Sequence, residues 1–464
     1  MNILIATKNQ GKLKEFVDLF SGLPFMFHSL NEFPDLIEPQ ESGLTLMENA
    51  LLKAKYYYDL TKMPTISDDT GLFIKALGGK PGIYTARYAH GSDQDNRHKV
   101  LSEMKDFLDR SCYFNTALVF YDGQNIITTT GFLRGEIATS EQGEQGFGYD
   151  SIFYLKDLAK TLAELDANQK NQLSHRYFAA KAMIQKLKLY YHLTSPREII
   201  AEHFPDYVSY ELLKGGMSND TYLVKLPNRV TVFRIPGYSS EIFVDRNIEQ
   251  KALLTIQNHD RFINQIRYFA DGMLETSFVA QKEVDQTARF KTLQALHRLP
   301  FDTEYLPFVR FSYYERLNQL FEVELDSQFA TLKAILERFK PMLEARPKVF
   351  CHNDCQLSNF IGDILIDFEF CGLNDPLFDY ACFGNNDLNI GYEMAKIDPA
   401  IKNLDEALEI INLWYALQAL SWYLVAIFKD KIGFSASQGL DFKAIGLMFF
   451  AKAESLLKPY QIME

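Results

Sequence analysis

The sequence predicts an α/β chain built as two domains, and three observations lead there. Its 464 residues exceed what one hydrophobic core ordinarily serves. Up to residue 187, short apolar runs alternate with segments of helical period, the pattern of mixed α/β structure. From residue 205 three strand-like segments come first, and helical periodicity fills most of the remainder. Between the patterns, Ser195-Pro196 breaks one helix and is placed to cap the next, so the expected domains are 1–190 and 191–464.

In order, "ILIAT" reads as a buried strand and "NQGKLKEFVDLF" as a helix with Leu13, Phe16, Val17 and Phe20 at helical spacing. "TLMENALLKAKYYYDL" is a second helix and "TISDD" the end of a strand. "FNTALVFYD" and "NIITTTGFLRGEI" form a hairpin or meander around "DGQN". In the second part, "YVSYELLKGGMSNDTYLVKL" is strand, glycine turn and strand; "RVTVFRI" is a third strand and "RNIEQKALLTI" a helix.

Composition narrows the function classes. Hydrophobic residues at 47% and charged residues at 23% describe a globular chain. A net charge of -12 argues against a nucleic-acid surface, which needs a basic stripe. Phosphate-bearing small molecules stay open, because local lysines or a metal ion reverse the field within one cleft. Five cysteines, odd in number and bunched late, suit free thiols in a reducing compartment, hence a cytoplasmic setting. Cys351 and Cys355 flank His352 and Asp354 but lack a second pair at zinc-site spacing. The N-terminal apolar run is too short for a signal peptide. The uncharged stretch Ile411–Phe428 holds Asn412, Gln418 and Ser421, so a buried helix is expected and no membrane insertion.

In the first part, "ATKNQGKLKE" places Thr7, Lys8, Asn9 and Lys12 at a strand-to-helix junction, where first-turn N–H groups and lysines attract a polyphosphate. Glu38, Glu41, Asp68 and Asp69 stand beside small turn residues, and the two aspartates point to opposite faces of a strand end. Acids sharing a cleft with phosphate-binding lysines imply Mg²⁺ between them and the substrate. "GEQGFGYDS" lets Phe147 project between Gly146 and Gly148 to stack on a base, with Asp150, His175 and Arg176 able to bond its edge.

"ATKNQGKLKE", "ESGLTLMENA", "ISDDTGL", "LGGKPGIYTARYA", "GFGYD" and "LSHR" occur in the order and spacing of the inosine triphosphate pyrophosphatase family, which residues 1–187 resemble. The resemblance implies a domain with a central elongated sheet that cleaves ITP, dITP and XTP to monophosphate and pyrophosphate. It implies that Thr7, Asn9 and Lys12 hold the triphosphate. Glu41 and Asp69 bind Mg²⁺, and Asp69 is also the general base. Phe147 stacks on the purine, with Gly148, Tyr149, Asp150, Lys170, His175 and Arg176 completing the nucleotide site. Family members are usually dimeric, so a homodimer through this domain is expected. Gln145 and Ser151 depart from the family's usual glycine and proline around "GFGYD". Donors from His or Arg would favour a 6-keto purine over adenine.

In the second part, "CHNDCQLSNFIGDILIDFEF" sets Asn359 five positions after Asp354 and follows with "DFE", the layout of a kinase catalytic loop and metal-binding acid. Asp354 can take a hydroxyl proton, while Asn359 and Asp367 can hold Mg²⁺ on ATP phosphates. His352 reads as a structural hydrogen-bonder. The glycine turn before Ser218 and Asn219 can approach phosphates, and Arg234 and Glu249 supply the charged pair upstream. With "VFRIPG", "DRNIE" and "LIDFEFCGLNDPLFDYA", residues 205–430 resemble the choline/ethanolamine kinase family, among the aminoglycoside-phosphotransferase-like kinases. That resemblance implies a protein-kinase-like bilobal domain with a small β-rich lobe and a large helical lobe, and an Arg at the position of Arg234. A quaternary ammonium is held by aromatic faces. Tyr415 and Trp422 share a helix face, with Trp414 rotated off it, and Phe370 is a further wall. Choline is the expected acceptor; ethanolamine, thiamine, an aminoglycoside, or a non-catalytic binding module are the alternatives.

Overall fold

The computed structural model describes residues 1–213, 219–383, 387–435 and 439–461; the glycine turn at 214–218, with Ser218, lies outside them. The chain falls into two compact units. One comprises Met1–Arg229, Phe233–Phe243 and Tyr268–Leu274, the other Val230–Val232, Val244–Arg267 and Glu275–Glu464.

The first unit opens with β1 (Asn2–Ile5), α1 (Gln10–Phe20), β2 (Met26–Ser29), α2 (Leu46–Thr61), β3 (Thr65–Ile74), β4 (Pro81–Gly82) and α3 (Asp93–Glu103). It continues through β5 (Ser111–Tyr121), β6 (Ile126–Ile137), β7 (Phe153–Leu155), β8 (Lys160–Thr161), α4 (Ala167–Leu173) and α5 (His175–Tyr190). One eight-stranded sheet runs β2-β1-β3-β5-β6-β7-β8, with β4 beside β3. Its middle is long. β3 pairs with β5 from Thr65↔Tyr121 to Ile74↔Cys112, and β5 with β6 from Tyr121↔Ile126 to Ser111↔Glu136, so the elongated sheet expected from the sequence is present. The "DGQN" turn forms because Asp122 Oδ1 accepts the N–H groups of Gln124 and Asn125. Gly123 there takes a positive φ of 96°.

Helices start where side chains satisfy their orphan N–H groups. Asn9 caps α1 by accepting from Lys12 N–H, and Thr45 caps α2 by accepting from Glu48 N–H. Ser195 and Glu198 form a capping box on α6 (Pro196–His203), with Pro196 in the first turn, as the sequence predicts. The core near the β1 end joins Ile3, Ile5, Phe16, Phe20, Leu118 and Phe120 to Ala179, Met183 and Leu187 of α5. A second cluster holds Leu72, Ile74, Phe114, Tyr149 and Phe153. At Gly131 of β6 an added Cβ would lie 2.2 Å from His175 O and 2.4 Å from Ala179 N, so α5 rests directly on the strand.

Beyond α6 come β9 (Ser209–Leu212), β10 (Asn219–Lys225), β11 (Val230–Pro236), α7 (Arg246–Ile256), β12 (Arg267–Tyr268) and β13 (Leu274–Ser277). These strands make a sheet of order β12-β13-β11-β10-β9, in which β9 and β10 pair antiparallel. The rest is mainly helical: α8 (Gln286–His297), α9 (Pro307–Leu320), α10 (Phe329–Glu344), then β14 (Val349–Cys351), β15 (Phe360–Ile361), β16 (Ile364–Leu365) and β17 (Gly372–Asn374). It closes with α11 (Pro376–Phe383), α12 (Leu388–Ile397), α13 (Leu404–Lys431) and α14 (Phe442–Gln461). α13 contains the apolar stretch at 411–428 and is long enough to cross a membrane. However, 83% of its most apolar window is buried inside the protein, as a core helix requires.

Candidate active sites

The first site forms where β1, β3, α1 and α2 meet. Asn9 N–H donates to Thr7 Oγ1 (3.2 Å), and the Asn9 cap turns Lys12 inward to donate to Asp68 Oδ2 at 2.6 Å. Thr70 Oγ1 donates to the same oxygen (3.2 Å). Asp69 points the other way: Asn49 donates to its Oδ2 at 3.0 Å, and the Lys53 ammonium lies 3.8 Å from Oδ1. Lys53 also donates to Glu41 Oε1 (3.0 Å), and Arg87 donates to Glu41 Oε2 (2.9 Å). The sequence expectation that the two aspartates divide between faces holds, but both meet site cations.

The charges differ in consequence. Burial would raise the Asp68 carboxyl, yet Lys12 and Lys53 outweigh it and hold the group below its ordinary range. Asp69 is raised, chiefly by burial and also by Glu41, against Lys53 and Asn49. Burial opposes ionisation of Glu41, but Lys53 and Arg87 prevail and lower it. Lys53 is raised because Asp69, Asp68 and Glu41 overcome its desolvation. An ammonium bridging Glu41 and Asp69 occupies the place where two neighbouring carboxylates call for positive charge. Their oxygens are the donor type Mg²⁺ takes.

Phe147 folds over the start of α1, its ring 2.8 Å from where a Cβ on Gly11 would stand. Lys170 and Arg176 lie over this ring at 4.8 and 4.9 Å from its centroid. Lys170 Nζ contacts Asp150 Oδ2 (2.8 Å) and Glu15 Oε1 (3.1 Å), and Arg176 also pairs with Glu15. Asp150 Oδ2 additionally accepts the Phe147 N–H (2.9 Å), which fixes the loop. His175 stacks on Phe114 and meets Arg176 through Nε2 (3.1 Å). Burial, then the nearby Arg176, Lys170 and Lys12, hold His175 neutral. Gly148 donates its N–H to Asp93. Tyr149 is buried in the core with its hydroxyl donating to Thr85 O (2.8 Å), so its side chain supports the loop from behind. Glu15, Asn49, Lys53 and Arg87 belong to this site and were missed in the sequence. The i, i+4 spacing of Asn49 and Lys53 in "MENALLK" was the available signal.

The second site is organised by Asp379, a fully buried acid on α11. Its Oδ2 accepts from His352 N–H (3.0 Å) and contacts His297 Nε2 (2.9 Å), and its Oδ1 accepts from Asn353 N–H (2.7 Å). Asn353 takes the left-handed conformation, φ 61°, and accepts from Asn374 Nδ2. The segment thus clamped presents Asp354, whose Oδ1 accepts from Gln356 (3.1 Å) and Oδ2 from Asn359 Nδ2 (3.1 Å). Burial pushes the Asp354 carboxyl up to about 7, against these two hydrogen bonds. His352 is buried, edge-on to Phe368, with Nε2 on Ile366 O, the structural role expected of it. Cys351 and Cys355 donate to the carbonyls of Asn374 and Asp379, and all five cysteines are free.

Asp367, also left-handed at φ 63°, places a carboxylate oxygen within 4.8 Å of those of Glu249 and Glu369. Arg246 donates to Glu249 Oε2 and Glu369 Oε1, both at 2.8 Å. Three converging carboxylates with one guanidinium form an oxygen-rich set that fits a divalent cation. Arg234 is buried on β11, and Asn219 begins β10. Asp379 and Arg246 were missed; the signal for Asp379 was one acid within the apolar run "PLFDYACF".

The aromatic residues need a correction. Trp414 is no part of an acceptor cage. It is buried against Phe308 and Phe378, and its Nε1 donates to Asp375 Oδ2 (2.8 Å), which also accepts from Arg346. A helix buried nearly all round does not reveal which aromatic faces a cleft. Phe370 and Trp422 do come together edge-on, centroids 6.1 Å apart, with Phe449 beyond Trp422. Tyr415 is buried and accepts from Lys452, whose ammonium lies over the Tyr415 and Phe449 rings. Arg310 lies 5.1 Å from the Phe370 ring centroid.

Residues 3–186 match the profile of the Ham1 family and residues 279–416 that of the phosphotransferase enzyme family. A dITP/XTP pyrophosphatase of Haemophilus ducreyi is 43% identical over 192 residues, covering 40% of this chain and 97% of that protein. The chain belongs to the Ham1 family. Its C-terminal part contains the stretch, residues 279–416, that matches the phosphotransferase enzyme family. The Staphylococcus aureus Ham1 structure is 38% identical, covers 40% of this chain and 98% of its own, and has a TM-score of 0.38. Choline kinase LicA of Streptococcus pneumoniae is 22% identical, covers 57% of this chain and 98% of its own, and has a TM-score of 0.47.

Proposed function

We propose that the chain is a bifunctional cytoplasmic enzyme. Residues 1–190 would hydrolyse dITP, XTP and ITP to the monophosphate and pyrophosphate. Residues 191–464 would transfer the γ-phosphoryl group of ATP to a small alcohol, choline first among candidates. The observation behind both is a buried acid with polar partners: Asp69 accepts from Asn49 and shares Lys53 with Glu41, and Asp354 accepts from Gln356 and Asn359. Close curated relatives of the first part, named dITP/XTP pyrophosphatases, support its activity.

In the first site Asp69 accepts the proton of the attacking water as its oxygen bonds to the α-phosphorus and pyrophosphate leaves. Lys12 and Asn9 orient the phosphates. Phe147 covers the base, and Lys170 and Arg176 supply donors to a 6-keto oxygen. Glu41 and Asp69 would hold Mg²⁺. In the second site Asp354 accepts the hydroxyl proton of the alcohol as its oxygen bonds to the γ-phosphorus and ADP leaves. Asn359 and Asp367 would hold Mg²⁺; Asn219 and Arg234 are the nucleotide contacts expected from the sequence. Bound Mg²⁺ supplies charge neutralisation of the phosphates at both sites.

Phe370 and Trp422 support a quaternary ammonium. Arg310 over Phe370 and Lys452 over Tyr415 favour a second reading, an acceptor bearing an anionic or hydroxyl-rich group, since like charges repel. The test is ATP consumption with Mg²⁺ across choline, ethanolamine, thiamine, an aminoglycoside and a sugar phosphate, beside an ITP control. Asp69→Asn should abolish only ITP cleavage and Asp354→Asn only phosphotransfer. Turnover of no acceptor, with ITP cleaved, would leave a nucleotide-binding module in place of a kinase.

A further inference from the structure

Lys186, on the last turns of α5, is a buried lysine that the pyrophosphatase chemistry does not use. Its side chain is 4% exposed, and its ammonium meets four acceptors: Thr128 O of β6 (2.8 Å), Gly237 O (2.6 Å), Tyr238 O (3.3 Å) and Glu241 Oε2 (2.7 Å). Three of the four lie in the segment that leaves β11. The same segment is bound to the pyrophosphatase sheet by Thr128 N–H donating to Tyr238 O (2.7 Å) and Thr128 Oγ1 donating to Glu241 Oε2 (3.2 Å). Tyr238 packs edge-on against Tyr190, whose hydroxyl is held by Asp122 and Asn125. All these residues lie in the first compact unit.

β11 carries Arg234, and Gly237 is the first residue past its end. A buried charge pair surrounded by carbonyls specifies a single register, because any slip leaves an uncompensated ion among apolar residues. We propose that Lys186 is a positioning residue for the phosphotransferase. Within the first compact unit, this side chain fixes the exit of β11 and with it the guanidinium of Arg234 for the ATP phosphates. The inference rests on the reading of Arg234 as a phosphate contact.

The experiment is calorimetric titration of the full chain with AMPPNP and Mg²⁺, using Asp367→Asn to identify heat from the phosphotransferase site, beside ITP hydrolysis on the same samples. Lys186→Met should weaken AMPPNP binding at least tenfold and leave kcat/KM for ITP within twofold. Glu241→Gln, which keeps a neutral acceptor, should weaken AMPPNP binding in the same direction and to a smaller extent, and it decides the matter should Lys186→Met not fold. Unchanged AMPPNP affinity in the variants, or equal losses at both sites, overturns the positioning role. Absence of any Asp367-dependent AMPPNP binding in the unaltered chain overturns the phosphotransferase reading and the inference with it.

Discussion

Replacing the acid proposed to be essential for phosphotransfer should make the metal-free protein more stable. Asp354 is buried, and its carboxyl is moved from an ordinary 3.8 up to about 7. An acid raised on folding keeps its proton in the native state at pH values where the unfolded chain has lost it. Native stability therefore falls as pH rises from about 4 to about 7, and the full penalty stands above 7. At ~1.4 kcal/mol per tenfold change, that penalty is ~4 kcal/mol as an upper bound. The two donors use different carboxylate oxygens, so in asparagine the NH₂ group would face either Gln356 or Asn359, donor against donor, which costs about 1 kcal/mol. Asp354→Asn should thus gain up to about 3 kcal/mol at pH 8 and about 1 kcal/mol or less at pH 5. In calorimetry with EDTA, the phosphotransferase transition should rise by roughly 6 °C at pH 8 and hardly move at pH 5. An equal Tm difference at both pH values would refute the claim that the buried carboxyl is protonated in the native state.

Lys53→Met removes a cation that opposes the upward shift of Asp69, so the acid limb of ITP hydrolysis should move to higher pH in a pH–rate profile. Phe147→Ala should raise KM for ITP by roughly 5- to 150-fold, equivalent to ~1–3 kcal/mol of lost stacking, in steady-state assays. Trp414→Phe should lower Tm, costing about 1 kcal/mol through the lost hydrogen bond to Asp375 Oδ2, which keeps Arg346, and leave acceptor KM unchanged; Trp422→Ala should raise acceptor KM.

What was legible in the sequence was contiguous. The strand-to-helix junction at Asn9 and Lys12, the Asp68-Asp69 strand end, the "DGQN" turn and the Asp354–Asn359–Asp367 run each declare themselves within about fifteen residues, because local spacing sets which face a side chain takes. What escaped was assembled from afar. Glu15 meets Arg176 across 161 positions, and Arg246 meets Glu369 across 123; nothing in either neighbourhood encodes its partner. Trp414 failed for another reason. α13 is apolar on nearly every face, so periodicity could not separate the side packed on Phe378 from the side near Phe370.

Gly131 has a consequence for how variation in this chain would be interpreted. Its missing side chain sets the spacing between β6 and the helix whose first two residues are His175 and Arg176. A methyl group there should displace that helix and, under the proposed function, disturb His175 and Arg176 at the nucleotide site. A survey of sequence variants would then find a defect in ITP cleavage at a strand glycine with no substrate contact, and only the thickness of one backbone layer would explain it.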